Sequence, residues 1–145
     1  MKEEVFEYLI EYGFNKEDLE DFLKINDKLF FANLDNIKNN INFFKDKELT
    51  KDEIINIIKE ECFLLTISNK KKELLDNIYY NIFNKDELKN LIITYPPSYV
   101  VNPLELEEII NYIKDLGYNI KSSIINNKDL LSSDIEDVKK IIYGE

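Results

Sequence analysis

Four apolar residues, Phe14, Leu49, Phe83 and Tyr118, recur along this chain at steps of 35, 34 and 35 residues, and the residues after them recur as well. A period of this size is the signature of a repeat architecture, in which one supersecondary unit buries its apolar face only by stacking against the next. It constrains the fold more than any other feature of the sequence.

The local pattern after each anchor reads as a helix start. Asn15-Lys16-Glu17-Asp18-Leu19, Thr50-Lys51-Asp52-Glu53-Ile54, Asn84-Lys85-Asp86-Glu87-Leu88 and the weaker Asn119-Ile120-Lys121-Ser122-Ser123 each open with a side chain able to accept first-turn N–H groups. Acidic residues in the first turn suit the helix dipole, and Glu53 and Glu87 fall at capping-box spacing. Leu19, Phe22 and Leu23, then Ile54, Ile57 and Ile58, then Leu88, Leu91 and Ile92 keep helical periodicity behind them.

About 15 residues after each anchor comes an apolar cluster: Leu29-Phe30-Phe31, Phe63-Leu64-Leu65, Tyr99-Val100-Val101 and Leu130-Leu131. A second cap follows at Asn33, Ser68, Asn102 and Ser133. Pro103 suits a first helical position, and Glu136 would close a capping box with Ser133. The second helices then bury Ile37, Ile41 and Phe44; Leu74, Leu75 and Ile78; Leu106, Ile109, Ile110 and Ile113; and Ile135, Val138, Ile141 and Ile142.

The expected fold is therefore all-α, about three and a half two-helix repeats of roughly 35 residues forming one small curved helical-repeat domain over residues 1–145. Residues 1–13 form an N-terminal capping helix, and the units lie near 14–48, 49–82, 83–117 and 118–145. Tetratricopeptide repeats share the period, but they pack through small residues and carry a Trp, Gly and Ala signature, whereas this chain has no Trp and Ala32 alone.

The unit resembles the mitochondrial transcription termination factor repeat, in which a helix leads to a proline, an apolar pair and a second helix. Pro97-Ser98-Tyr99-Val100 followed by Asn102-Pro103-Leu104-Glu105-Leu106 carries the resemblance, with Ile109, Ile113 and Leu116-Gly117 in the expected places. Thr50 to Ser68 fits with Cys62 in the proline's place, and Phe14 to Asn33 with Asp27 there. The resemblance covers most of the chain. It implies a curved helical-repeat fold and nucleic-acid binding on a basic concave face.

Composition narrows the chemistry. Without histidine there is no imidazole base or ligand, so serine-type triads and zinc-protease motifs are excluded. Three scattered glycines, Gly13, Gly117 and Gly144, build neither a phosphate loop nor a dinucleotide fingerprint. Cys62 can form no disulfide within the chain, and Glu61 beside it, or burial, would raise its pKa. Acidic pairs such as Glu17 with Asp21, or Glu105 with Glu108, read as solvated helix faces rather than an acid and base or an ion site. No catalytic residues, metal site or cofactor are expected. No apolar run approaches a membrane span, and the acidic start Met1-Lys2-Glu3-Glu4 lacks the form of an export signal, so a cytoplasmic location is expected.

All 19 basic residues are lysine, against 29 acidic ones, for a net charge of −10. That balance disfavours general affinity for nucleic acid, which relies on cations replacing counterions. The acids concentrate at Glu17, Asp18, Glu20 and Asp21, and again at Glu105, Glu107 and Glu108. These read as faces for a basic protein partner, a class that includes nucleic-acid-binding proteins. The protein is thus expected to be a non-catalytic adaptor or inhibitor. The alternative is a nucleic-acid-binding regulator of the termination-factor type, using the one concentrated basic run, Lys70-Lys71-Lys72. Tyr95-Pro96-Pro97-Ser98-Tyr99 reads either as a tyrosine-bearing surface or as an inter-helix turn.

Overall fold

A computed structural model describes residues 1–143; residues 144 and 145, which close the fourth expected unit and include Gly144, lie outside the described residues. Every regular element among the described residues is helical: α1 (Glu3–Tyr12), α2 (Lys16–Ile25), α3 (Leu34–Asp46), α4 (Lys51–Glu60), α5 (Asn69–Tyr80), α6 (Lys85–Thr94), α7 (Pro103–Asp115), α8 (Ile120–Asn126) and α9 (Ile135–Tyr143). A single 3₁₀ turn separates the two helices of each pair, at Asp27–Phe30, Cys62–Thr66, Pro96–Tyr99 and Lys128–Ser132.

The helix starts follow from their caps. Asn15, Thr50 and Asn84 each accept the N–H of the residue three places on, and Asp18, Glu53 and Glu87 return the bond to the cap's own N–H. Asp18 therefore closes a third capping box. The α9 start differs from expectation. Asp134, not Ser133, accepts the Asp137 N–H at 2.8 Å, while Ser133 turns its hydroxyl back to the Asp129 carbonyl and Glu136 pairs with Lys139 at 3.5 Å.

The turn before an anchor is also recurrent. Gly13, Glu48 and Gly117 adopt φ of +134°, +68° and +83°, and in each case the anchor's N–H bonds the carbonyl five residues back. This left-handed ending suits glycine, so Glu48 is held there against its own preference. Gly13 has a second reason to lack a side chain: a Cβ would meet Cδ1 of Ile55 at 2.8 Å.

The fourth pair is shortened. The first helices α2, α4 and α6 span 10 residues each, whereas α8 spans 7, which brings Leu130 and Leu131 closer to their anchor than the earlier clusters are.

Contacts divide the chain into two compact units, Met1–Ser68 and Asn69 onward, with the break just before α5. In the first, α3 packs on α1, on α4 and on the 3₁₀ turn Cys62–Thr66. In the second, α5 packs on α6, α7 and the turn Pro96–Tyr99, and α7 packs on α8, α9 and the turn Lys128–Ser132. The apolar stripes form these cores: Leu19, Ile37, Ile41, Phe44, Ile54 and Ile57 in one, Leu75, Leu88, Ile92, Leu106, Ile109 and Ile113 in the other. Ile141 departs from its stripe and is exposed, and Ile135 is half-buried.

The 3₁₀ turns are where neighbouring pairs are joined by polar bonds. The side chain of Asn26, wholly buried, donates to the Cys62 carbonyl at 3.3 Å and to Thr66 Oγ1 at 3.0 Å, and Asn40 donates to the Leu65 carbonyl at 2.7 Å. In the second unit Lys71 donates to the Val100 carbonyl at 2.7 Å, Tyr79 to the Ser98 carbonyl, and the Tyr95 hydroxyl meets that of Ser132. Those of Asn26 to Cys62, Asn40 to Leu65 and Tyr79 to Ser98 are buried, and such bonds matter most by their absence, since an orphaned partner keeps its full desolvation cost.

Candidate functional site

Six of the seven acids singled out by the sequence sit on the exposed surface. Glu17, Glu20 and Asp21 lie on α2, and Glu105, Glu107 and Glu108 on α7. Asp18 is different: one oxygen accepts from the Asn15 N–H at 3.1 Å and the other lies 3.8 Å from Lys59 on α4. Its equivalent in the second unit does the same work, with Glu87 accepting from Asn84 at 2.9 Å and from Lys121 on α8 at 2.8 Å. The bonds from Asn84 and Lys121 hold the Glu87 carboxyl below its ordinary pKa. These two acids tie adjacent first helices together and are not part of an open acidic face.

The run Lys70-Lys71-Lys72 does not form one basic face. Successive helical residues turn by about 100°, so the three side chains diverge at the start of α5. Lys70 is exposed, Lys71 is half-buried with its ammonium on the Val100 carbonyl, and Lys72 is buried. Burial lowers the Lys72 pKa and nearby Asp76 partly restores it.

Tyr95-Pro96-Pro97-Ser98-Tyr99 is an inter-helix turn. Pro96 and Ser98 are buried, Tyr99 is fully buried with its hydroxyl on Asp76 Oδ1 at 2.6 Å, and Tyr95 is half-buried. Ser98 occupies the third place of its turn, where Leu29, Leu64 and Leu130 stand in the others, and its buried hydroxyl has no hydrogen-bond partner among the described residues. The rings of Tyr79 and Tyr99 lie against each other in the same core, with centroids 5.3 Å apart.

Cys62 is buried, and its thiol pKa is pushed up first by desolvation and then by the charge of Glu61. No group of three or more metal-ligating side chains occurs among the described residues, nor any helix long and apolar enough to cross a membrane.

A concave feature missed by sequence reasoning lies within the first unit. The last turns of α2 and α4, with the 3₁₀ turn after α4, line an open groove of about 600 Å³. Phe22 and Cys62 are its buried apolar members, Ile25 and Phe63 stand exposed in it, and Asp21 and Glu60 are among its acids. Of the first apolar cluster Leu29 is buried, whereas Phe30 and Phe31 are exposed. The equivalents of Phe30, Leu65 and Tyr99, are buried in turns on which α3 and α5 pack.

The mTERF family model matches residues 1–141. The chain belongs to the mTERF family. A comparison with curated proteins finds no match. The structure places the mTERF proline position: the four 3₁₀ turns open with Asp27, Cys62, Pro96 and Lys128, so Pro96 rather than Pro97 is the counterpart of Asp27 and Cys62. Its place at the mouth of a turn explains the tolerance, because Asp27 and Cys62 adopt the same turn without a fixed φ.

Proposed function

We propose that this mTERF-family chain is a non-catalytic helical-repeat binding protein, an adaptor or inhibitor, that presents acidic faces to a basic protein surface. The observation that carries the reading is a contrast in exposure. Glu17, Glu20, Asp21, Glu105, Glu107 and Glu108 all face solvent, while the most concentrated lysine run supplies only Lys70 to an open surface. Complementary charge mainly speeds encounter and sets specificity. The partner's association should therefore slow steeply as salt rises, with dissociation changing less.

The test is affinity capture from the source cell, with and without nuclease, followed by rate measurements on the captured protein. Reversing Glu17, Glu20 and Asp21, or Glu105, Glu107 and Glu108, to lysine should slow association about tenfold or more. Both variants should stay helical, since exposed positions usually shift stability by under about 0.5 kcal/mol. Folded variants that bind the partner as fast as the original would make the acids solubilising only.

Family membership favours a second reading, a nucleic-acid-binding regulator, because the resemblance implies nucleic-acid binding. Under it Lys70→Ala should weaken binding and reduce the salt dependence by about one phosphate contact. Lys72→Ala should act on stability instead. Absence of any DNA or RNA complex at low salt would end this reading.

A further inference from the structure

We infer that the groove between the ends of α2 and α4 is a docking slot for a short segment of a partner protein that carries Lys or Arg beside a bulky apolar side chain. The inference rests on the reading that the chain binds a basic protein, and it locates one contact.

Three observations converge on it. The first is shape: an open volume of about 600 Å³ confined to the first unit accommodates several side chains. The second comes from the repeat itself. Ile25 is the last residue of α2, and the same place is held by Glu60 in α4 and Thr94 in α6. Phe63 is the second residue of its 3₁₀ turn, where the others carry Lys28, Pro97 and Asp129. The fold therefore does not require an apolar side chain at either place. Yet both are apolar, both line the same groove, and Ile25 is 63% and Phe63 39% exposed. Removing such surfaces from water on docking is favourable.

The third observation is charge. Asp18, Asp21, Glu60 and Glu61 line the groove against Lys24 and Lys59, an excess of two negative charges. Each lysine is paired with one of these acids, Lys59 with Asp18 and Lys24 with Asp21, both at 3.8 Å, so the two pairs cancel and the excess remains. The groove also lies at the C-terminal ends of α2 and α4, where helix dipoles add partial negative charge. A cation is favoured there and a phosphate chain is repelled. A second copy of this chain, with its net charge of −10, is repelled as well. A partner's basic segment with an apolar anchor satisfies both the charge and the exposed apolar surface.

The test uses the full chain and a fluorescein-labelled peptide of alternating lysine and leucine, read by anisotropy. Two control peptides replace leucine by serine, or lysine by glutamate. The lysine–leucine peptide should bind at least about tenfold more tightly than either control. Ile25→Ser combined with Phe63→Ser should weaken it by about tenfold, as should Asp21→Lys combined with Glu60→Lys, and the second loss should shrink at high salt. All four positions are exposed, and circular dichroism checks that the variants stay helical. The Glu105→Lys, Glu107→Lys, Glu108→Lys variant should leave peptide affinity unchanged. Equal binding of the serine control, or unchanged affinity in the Ile25→Ser, Phe63→Ser variant, overturns the slot. The wider reading fails separately: a peptide held in the groove by a protein that captures no basic partner overturns the adaptor and supports the slot. A partner bound through Glu105, Glu107 and Glu108, indifferent to the groove variants, does the reverse.

Discussion

Ile57→Ala and Ile109→Ala should each lower folding stability by about 2–5 kcal/mol, the usual cost of deleting a buried isoleucine side chain down to its Cβ. Both residues are 2% exposed, Ile57 on α4 in the first unit and Ile109 on α7 in the second. Each loses the transfer free energy of the removed methyl and methylene groups and leaves a cavity that helices fixed at both ends by caps close only in part. A domain holds about 5–15 kcal/mol in all, so either change removes a large share of it. Repeat proteins distribute their stability over units and nearest-neighbour interfaces. The two variants should therefore weaken different parts of the urea transition, which circular dichroism follows. The Glu105→Lys, Glu107→Lys, Glu108→Lys variant on the same helix as Ile109 is the control and should move the midpoint little. Losses below about 1 kcal/mol in both isoleucine variants would mean that these helices are not held by the packing described.

The parts of this fold legible in the sequence are those set by local physics. An Asn or Thr before an acidic first turn makes a helix start wherever the chain then goes, so Asn15, Thr50 and Asn84 announced α2, α4 and α6. Apolar spacing likewise announced the buried stripes of α3, α5 and α7. What stayed hidden depends on residues distant in sequence. Phe30 reads as core because Leu65 and Tyr99, its counterparts, are core, but burial at that position is supplied by a neighbouring second helix. Glu48 hides a left-handed turn that Gly13 and Gly117 advertise, because its conformation is imposed by the anchor's hydrogen bond to Phe44. Lys70, Lys71 and Lys72 read as one basic run because they adjoin in sequence, but rotation about α5 turns Lys71 and Lys72 inward. Of the candidate sites, the acids of α2 and α7 were legible as charge on solvated helix faces, and Asp18 is the exception, being spent on a cap and an ion pair. The groove joins Ile25 to Phe63, two residues on different helical pairs. One signal for it was available: laid against Glu60 and Thr94, Ile25 is the apolar exception at a polar position.

Alkaline pH should unfold this protein earlier than its helical content suggests, through Tyr79 and Tyr99. Both rings are fully buried. Desolvation raises the pKa of each well above the ordinary tyrosine value, and the negative charge of Asp76, which accepts the Tyr99 hydroxyl, raises Tyr99 further. An unfolded chain releases these protons near pH 10 while the folded chain retains them. The folded state then binds more protons, so its stability is fully present below about pH 10 and falls as pH rises above it. Each retained proton costs about 1.4 kcal/mol per pH unit, and the pair together about 2.7 kcal/mol per unit. Tyr8 and Tyr12, raised by partial burial, add in the same direction. Lys72 acts oppositely, because its lowered pKa lets the unfolded chain hold the extra proton just below the ordinary lysine value; stability rises with pH there and the gain ends near pH 10.4. The net expectation is a urea midpoint that holds or rises slightly towards pH 10 and drops steeply beyond it. Tyr79→Phe with Tyr99→Phe should be less stable at neutral pH, having lost bonds to the Ser98 carbonyl and Asp76, yet should lose less with each further pH unit. Tyrosinate absorbance gives an independent reading: of the nine tyrosines, the fraction contributed by this pair should appear only as the helical signal disappears. Equal alkaline slopes in the original and the double variant would show that the buried pair does not govern the transition.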